Sequence, residues 1–428
     1  MTEIALFPDT LSGWLAYIEA LHPKTIEMGL GRVGEVARRL DLNPKFPIIT
    51  VTGTNGKGST CAMLSQIYIQ AGYKTACYTS PHLLRYNERV KINDIEAADN
   101  ALIQAFAAVE QARNDVPLTY FEMGTLAAMW YFIWQQVDVA ILEVGLGGRL
   151  DAVNVFEPDC AIVTSVDLDH MDYLGSTREQ IGLEKAGVFR AAKPAICGDT
   201  QPPQSLLDYA SEIGAKLQRV GQTMLITKVR TGWQYRDENI NLGLPMPNLL
   251  GDFQLNNAAC AIRAVLQLNQ KLPVSEAHIQ EAMRSVRLAG RFQLVESQPQ
   301  IILDVAHNPQ AARTLADNLA QHACDGRTLA VFAMLSDKDI GGVIQALLSQ
   351  VSIWFVASID APRGEHAYNL QQRLQTFGAE VSAYDHVGQA MLAAYRVATE
   401  NDRIIIFGSF YTVAAAMTYL QKNTSNTR

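Results

Sequence analysis

The 428-residue chain has no excess of positive charge, no paired cysteine spacing, no low-complexity tract and no long unbroken apolar run. Each absence closes off a class. With 35 Lys and Arg against 43 Asp and Glu, the formal charge is −8, which argues against nucleic acid as the main partner. Cys61, Cys77, Cys160, Cys197, Cys260 and Cys324 show no CxxC spacing, and several sit inside apolar runs. That pattern fits reduced core thiols better than disulfides or a zinc site. No segment is apolar over a bilayer's width, and the first residues lack a basic export region. The expectation is a cytoplasmic monomer with no membrane partner.

What is present begins at Val51-Thr52-Gly53-Thr54-Asn55-Gly56-Lys57-Gly58-Ser59-Thr60, directly after the apolar Pro47-Ile48-Ile49. A buried strand ending in a glycine loop with one lysine and several hydroxyls, then a helix, is how a chain cradles a polyphosphate. Gly53, Gly56 and Gly58 allow a tight turn that points N–H groups at phosphate oxygens, and Lys57 adds a positive charge. Val51 stands where the usual pattern has its first glycine, and Gly58 where it has Ser or Thr. The plain alternative is a glycine turn before an ordinary helix, but the neighbouring signals agree with an ATP site.

Strand candidates then alternate with helices. Strands are expected at 48–51, 75–78, 139–142 and 161–164, with helices at 11–21, 33–40, 63–70 and 123–135. This predicts a P-loop α/β domain with a mostly parallel sheet, whose ligands bind beyond the carboxyl ends of its strands. A turn-rich stretch from 201 to 247 reads as a small β-rich excursion, 251–266 as a helix and 285–292 as a connector. From Ile301 the alternation restarts, predicting a smaller Rossmann-like α/β domain. The boundary is expected in the polar Ser297-Gln298-Pro299-Gln300, giving domains 1–296 and 297–428.

The unusual residues fall where these strands run out. Thr79-Ser80-Pro81-His82 follows the second, Glu143-Val144-Gly145-Leu146-Gly147-Gly148-Arg149 the third and Asp167-Leu168-Asp169-His170 the fourth. Glu143 is the strongest metal candidate, because Mg²⁺ beside phosphates needs a hard oxygen ligand. Ser80 and His170 gain weight only from their position on the same edge. By spacing alone Lys185 reads as a solvated helix residue. In the second half, Asp304-Val305-Ala306-His307-Asn308-Pro309 closes another apolar strand, and Arg291 after Gly290 suits a phosphate clamp.

Together these motifs resemble the Mur ligase superfamily of ATP-dependent amide-bond ligases along nearly the whole chain. Further segments that carry the resemblance are Thr25-Ile26-Glu27-Met28-Gly29-Leu30, Thr119-Tyr120-Phe121-Glu122, Leu150-Asp151-Ala152, Glu184-Lys185-Ala186-Gly187 and Gly290-Arg291-Phe292. The resemblance implies addition of L-glutamate to dihydropteroate and to reduced folates. It implies ATP held by Thr54, Asn55, Gly56, Lys57, Asn257, Arg291 and Asp304, and Mg²⁺ held by Ser80, Glu143 and His170. It places the pterin against Thr25, Ile26, Glu27, Met28, Thr119, Tyr120, Phe121, Glu122, Leu150, Asp151 and Ala152, with Glu27 where a familiar form has Asp. Lys57, Lys185 and His307 make up the implied catalytic set, Lys185 as a carbamylated lysine and His307 without a proton-transfer role.

Overall fold

A computed structural model of the chain describes residues 7–24, 26–322, 324–361 and 363–426. Packing divides it into two units, one of residues 1–248 and 255–286, the other of 249–254 and 287–428.

The first unit is built on eight strands: β1 Ile48–Thr52, β2 Thr75–Tyr78, β3 Val90–Ile92, β4 Ile95–Glu96, β5 Val139–Glu143, β6 Cys160–Val163, β7 Pro194–Cys197 and β8 Lys216–Arg219. They lie in the order β4-β3-β2-β5-β1-β6-β7-β8. The six from β2 to β8 run parallel, while β3 and β4 turn back antiparallel at one edge. Every residue of β1 and β5 is buried, which is why these strands show no alternation of apolar and charged residues. Trp14, Phe106 and Phe132 are fully buried in the core this sheet shares with its helices.

Because β1, β2, β5 and β6 are parallel neighbours, their carboxyl ends open on one edge. The register aligns Val51 with Glu143 and with Ile162, and Tyr78 with Leu142. The loops that follow these strands therefore start at the same height, which sequence spacing alone does not guarantee.

The stretch expected as a β-rich excursion is only partly so. Gln204–Glu212 is a helix and β8 joins the main sheet. The excursion is a three-stranded antiparallel sheet of β9 Leu225–Val229, β10 Gly232–Arg236 and β11 Asn241–Leu244.

The second unit holds β12 Gln293–Ser297, β13 Gln300–Asp304, β14 Thr328–Phe332, β15 Ile353–Ala357, β16 Val381–Tyr384 and β17 Arg403–Phe407. Their order is β12-β13-β17-β14-β15-β16, parallel except for β12. The division falls after Val286, ten residues before the expected boundary. The polar Ser297–Gln300 segment is no linker: it turns the hairpin that pairs β12 with β13. A turn and a linker share their composition, so proline and polarity could not separate them. None of the helices among the described residues is long and apolar enough to cross a membrane.

Candidate active site

The glycine loop emerges from β1 and is held from below by the end of β6. Thr54 N–H donates to the Ser165 carbonyl at 2.8 Å and Asn55 N–H to Ser165 Oγ at 3.0 Å. Thr164 Oγ1 donates to the Asn55 carbonyl at 2.6 Å, and the Thr54 hydroxyl donates to the Asp167 carbonyl at 3.0 Å. These bonds fix the loop at the mouth of the helix Lys57–Gln70, whose N-cap, Gly56, has φ +88° and no side-chain cap. An uncapped N-terminus approached by a left-handed glycine leaves the Lys57 and Gly58 N–H groups for a ligand. Lys57 Nζ donates to the Gly53 carbonyl at 2.9 Å and the Thr54 carbonyl at 3.2 Å, so its ammonium lies over the loop. Asn257, from the helix Phe253–Leu268, sets its Oδ1 against Gly56.

Glu143 ends β5 and is only 4% exposed. Its Oε2 accepts the Ser80 N–H at 3.2 Å, bringing together two of the three expected metal ligands. His170, the third, has φ +50° and caps the short helix Met171–Leu174; its Nε2 stands 3.9 Å from Asp169 Oδ2. The segment that carries it is tied to the phosphate loop where Asp167 N–H donates to Thr54 Oγ1 at 3.0 Å. Among the described residues no three His, Cys, Asp or Glu side chains form a ready ligand cage. A carboxylate, a hydroxyl and an imidazole beside a polyphosphate loop nevertheless fit Mg²⁺, which completes its octahedron with water and phosphate oxygens.

Lys185 is not a solvated helix residue. It is 3% exposed in the last turn of the helix Arg178–Ala186. Burial, reinforced by the Lys57 charge, lowers its amine to about 7, against the opposing pull of Asp169 and Asp151. Sequence spacing missed this because the helix packs under the Gly145–Arg149 loop: Arg149 N–H donates to the Glu184 carbonyl at 2.8 Å. A Cβ on Gly148 would stand 3.0 Å from the Lys185 carbonyl.

The three expected pterin-side segments converge. Gly29 N–H donates to the Leu150 carbonyl at 3.1 Å, and a Cβ on Gly147 would stand 3.6 Å from the Met28 methyl. Gly145 lies against the Phe121 ring, where an added Cβ would be 2.7 Å away. Arg32 links Glu27 and Glu122, at 3.4 and 3.0 Å. Ile26 lies beside them, half-buried, while Thr25 falls outside the described residues. Glu122 also accepts the Thr119 N–H at 2.8 Å, closing a capping box at the start of the helix Tyr120–Trp134. Asp151 accepts from Leu146 N–H and Val153 N–H, both at 2.9 Å, next to the buried Ala152. Burial pushes its carboxyl up to about 7. These two carboxylates hold the wall in shape.

In the second unit, the Asp304 carboxylate accepts from Phe292 N–H and Ala306 N–H, both at 2.8 Å, and burial raises its pKa. The Arg291 guanidinium lies 5.2 Å from the Phe410 ring centre. The His307 ring meets the same phenyl at 6.2 Å, and its Nδ1 is 2.9 Å from the Val305 carbonyl. Since a carbonyl only accepts, Nδ1 carries the proton. Asn308 caps the helix Pro309–Gln321.

Sequence reading passed over Thr164 and Ser165, which brace the loop, and Arg89, whose carbonyl accepts the Thr79 N–H at 2.9 Å. The available signal for the first two was two hydroxyls directly after the fourth apolar strand. For Arg89 it was a basic residue opening a strand that returns to the ligand edge.

The Mur ligase middle domain matches residues 51–265, and the Mur ligase, glutamate ligase domain matches residues 290–410. The dihydrofolate synthase/folylpolyglutamate synthase of Escherichia coli K12 is 46% identical over 409 residues, covering 95% of this chain and 94% of that protein. The structure of E. coli FolC in complex with DHPP and ADP superposes with a TM-score of 0.92 at 45% identity, over 97% of this chain and 98% of the other. A bifunctional folylpolyglutamate synthase/dihydrofolate synthase with Mn, AMPPNP and L-glutamate bound gives a TM-score of 0.90 at 44% identity, over 97% and 100% of the two chains.

Proposed function

The chain belongs to the Mur ligase family, in its dihydrofolate synthase/folylpolyglutamate synthase group, and we propose that it joins L-glutamate to dihydropteroate and to reduced folates with ATP and Mg²⁺. The observation that carries this is the meeting, on one sheet edge, of the phosphate loop, the Ser80–Glu143 pair and the segments around Met28, Phe121 and Leu150. Relatives that bind ADP with DHPP, or AMPPNP with L-glutamate, support it. The protein acts as a cytoplasmic monomer.

A carboxylate and an amine do not condense usefully at neutral pH, so a carboxylate oxygen must become a leaving group. The substrate carboxylate attacks the γ-phosphorus of ATP; a new O–P bond forms, the bond to ADP breaks, and an acyl phosphate results. The glutamate amine then attacks the acyl carbon, the C–O bond to phosphate breaks, and the amine gives up its proton as the amide forms. Negative charge gathers in both steps. Lys57 and the first-turn N–H groups of its helix bind and orient the phosphates. Ser80, Glu143 and His170 would hold Mg²⁺, which when bound neutralises phosphate charge. Asn257 completes the nucleotide side within the first unit; Arg291, Asp304 and His307 are the second unit's candidate ligand-binding residues. Lys185, buried with an amine near 7, has the neutral nitrogen that carbamylation requires, and the carbamate would be an anion able to help hold a second ion.

Substrate labelled with ¹⁸O in its carboxylate should pass label to the released phosphate; unlabelled phosphate would rule out the acyl phosphate. ADP release should require glutamate and a pterin acid together. An ATP-binding switch would need neither.

A further inference from the structure

Dihydropteroate carries a single carboxylate, and it is the one that reacts. A folate that already bears a glutamate carries two on that residue, so one reacts and the other must be accommodated. An enzyme that takes both acids needs a cation for the spare carboxylate that the smaller acid does not use. Most arginines around the sheet edge are already engaged: Arg32 with Glu27 and Glu122, Arg85 with Asp99, Arg149 with Glu184 and Arg178 with Asp199.

Arg89 differs. It precedes β3, whose Val90 pairs with Tyr78, so it lies just past the carboxyl end of β2, on the edge where Ser80 meets Glu143. The half-buried guanidinium sits 5.4 Å from the Tyr86 ring centre and 5.5 Å from that of Tyr120. Its Nε donates to His82 Nδ1 at 2.8 Å. An Nε–H that donates here meets a lone pair on Nδ1, so the imidazole fixes the guanidinium in place. Among the described residues the two η-nitrogens meet no carboxylate and no hydrogen-bond acceptor. The neighbouring acid, Glu88, spends its oxygens on the N–H groups of Leu83, Leu84 and Arg85 at 2.7–2.8 Å. A partly buried guanidinium, fixed by two rings and an imidazole with its outer fork unspoken for, has the form of a bidentate carboxylate receptor. Tyr120, one of those rings, belongs to the pterin-side segment.

We propose that Arg89 binds the non-reacting carboxylate of folate substrates, and so separates the demands of folate extension from those of the dihydropteroate reaction. This rests on the two-substrate reading above. The experiment measures glutamate ligation by the wild-type enzyme and Arg89→Gln, with dihydropteroate, a reduced folate and the same folate with its non-reacting carboxylate converted to an amide. The wild type should lose about 10- to 100-fold in kcat/KM on going from acid to amide, mainly through KM, the scale of hydrogen bonds to a charged group. Arg89→Gln should lose a similar factor on the folate acid, stop distinguishing acid from amide, and stay within about threefold of wild type on dihydropteroate. The dihydropteroate rate also reports that the variant is folded. A wild type that accepts acid and amide equally overturns the inference without need of the variant, as does equal loss on both natural substrates. A wild type that ligates glutamate to neither acid overturns the proposed function itself.

Discussion

Asn257 Oδ1 lies 2.5 Å from the point where a Cβ on Gly56 would stand, and Gly56 has φ +88°. The helix Phe253–Leu268 thus packs its amide against the glycine that opens the phosphate loop. Gly56→Ala must both strain a left-handed backbone and displace Asn257, at a cost of about 1–3 kcal/mol. The expected result is a KM for ATP raised at least about tenfold and a lowered Tm, with Asn257→Gly partly restoring Tm in the double variant. Thermal denaturation with and without nucleotide checks it.

Glu143 meets Ser80 through one oxygen, at the end of a strand that is buried throughout. Glu143→Gln keeps an oxygen able to accept the Ser80 N–H and removes the negative charge. Turnover should fall by about 100-fold or more while Tm changes by only a few degrees. Raising the Mg²⁺ concentration should recover part of the loss in Glu143→Gln and none in Lys57→Ala, because only the first loses a cation ligand. Steady-state rates over a metal titration separate the two.

How much of this was legible in the chain depends on where each constraint lies. Gly53, Lys57 and Glu143 announce themselves because the buried parallel strands before them carry no charge in their interiors, so a glycine loop, a lysine or an acid at their ends stands out. Lys185 does not: nine helical residues with charged neighbours look solvated until the Gly145–Arg149 loop is seen to cover them. The Ser297–Gln300 turn was indistinguishable from a linker, since both need polar residues and proline, and only the pairing of β12 with β13 decides. Glu122 and Asp151 belong to the expected pterin wall, but their hydrogen bonds to Arg32 and to backbone N–H groups are properties of folded neighbours.

Burial of Lys185 makes bicarbonate a testable requirement. Its amine, lowered to about 7, is about half neutral at neutral pH and so open to carbon dioxide. Enzyme stripped of bicarbonate should lose most of its activity and regain it on readdition, and Lys185→Met should be inactive under both conditions. Because the folded-state value lies below the ordinary 10.5, the amine's contribution to stability is fully present above 10.5 and is lost as pH falls through 7. Without bicarbonate, Lys185→Met should therefore gain most in Tm over the parent near pH 6, with the gain shrinking as the pH approaches 10. A gain independent of pH would mean that packing, and not the buried charge, sets the difference.

Asp402 gives the opposite sign in the second unit. It is 2% exposed, and its carboxylate accepts from Arg327 N–H at 2.6 Å, Arg327 Nη2 at 2.9 Å and Thr399 N–H at 2.8 Å. The Arg327 side chain, more than the backbone donors, holds it well below the ordinary carboxylate range. A depressed acid contributes stability that is present above its unfolded value near 3.8 and is lost as pH falls below it toward the folded value. These bonds tie the start of β14 to the turn before β17, two central neighbours of the six-stranded sheet. Asp402→Asn should cost about 1.5–3 kcal/mol at pH 7, the scale of hydrogen bonds to a charged group. The deficit should narrow between pH 4 and pH 2 as the unfolded parent's carboxylate takes up a proton that the folded one resists. Urea unfolding of parent and variant across that range measures it, and a deficit unchanged with pH would assign the loss to geometry instead of charge.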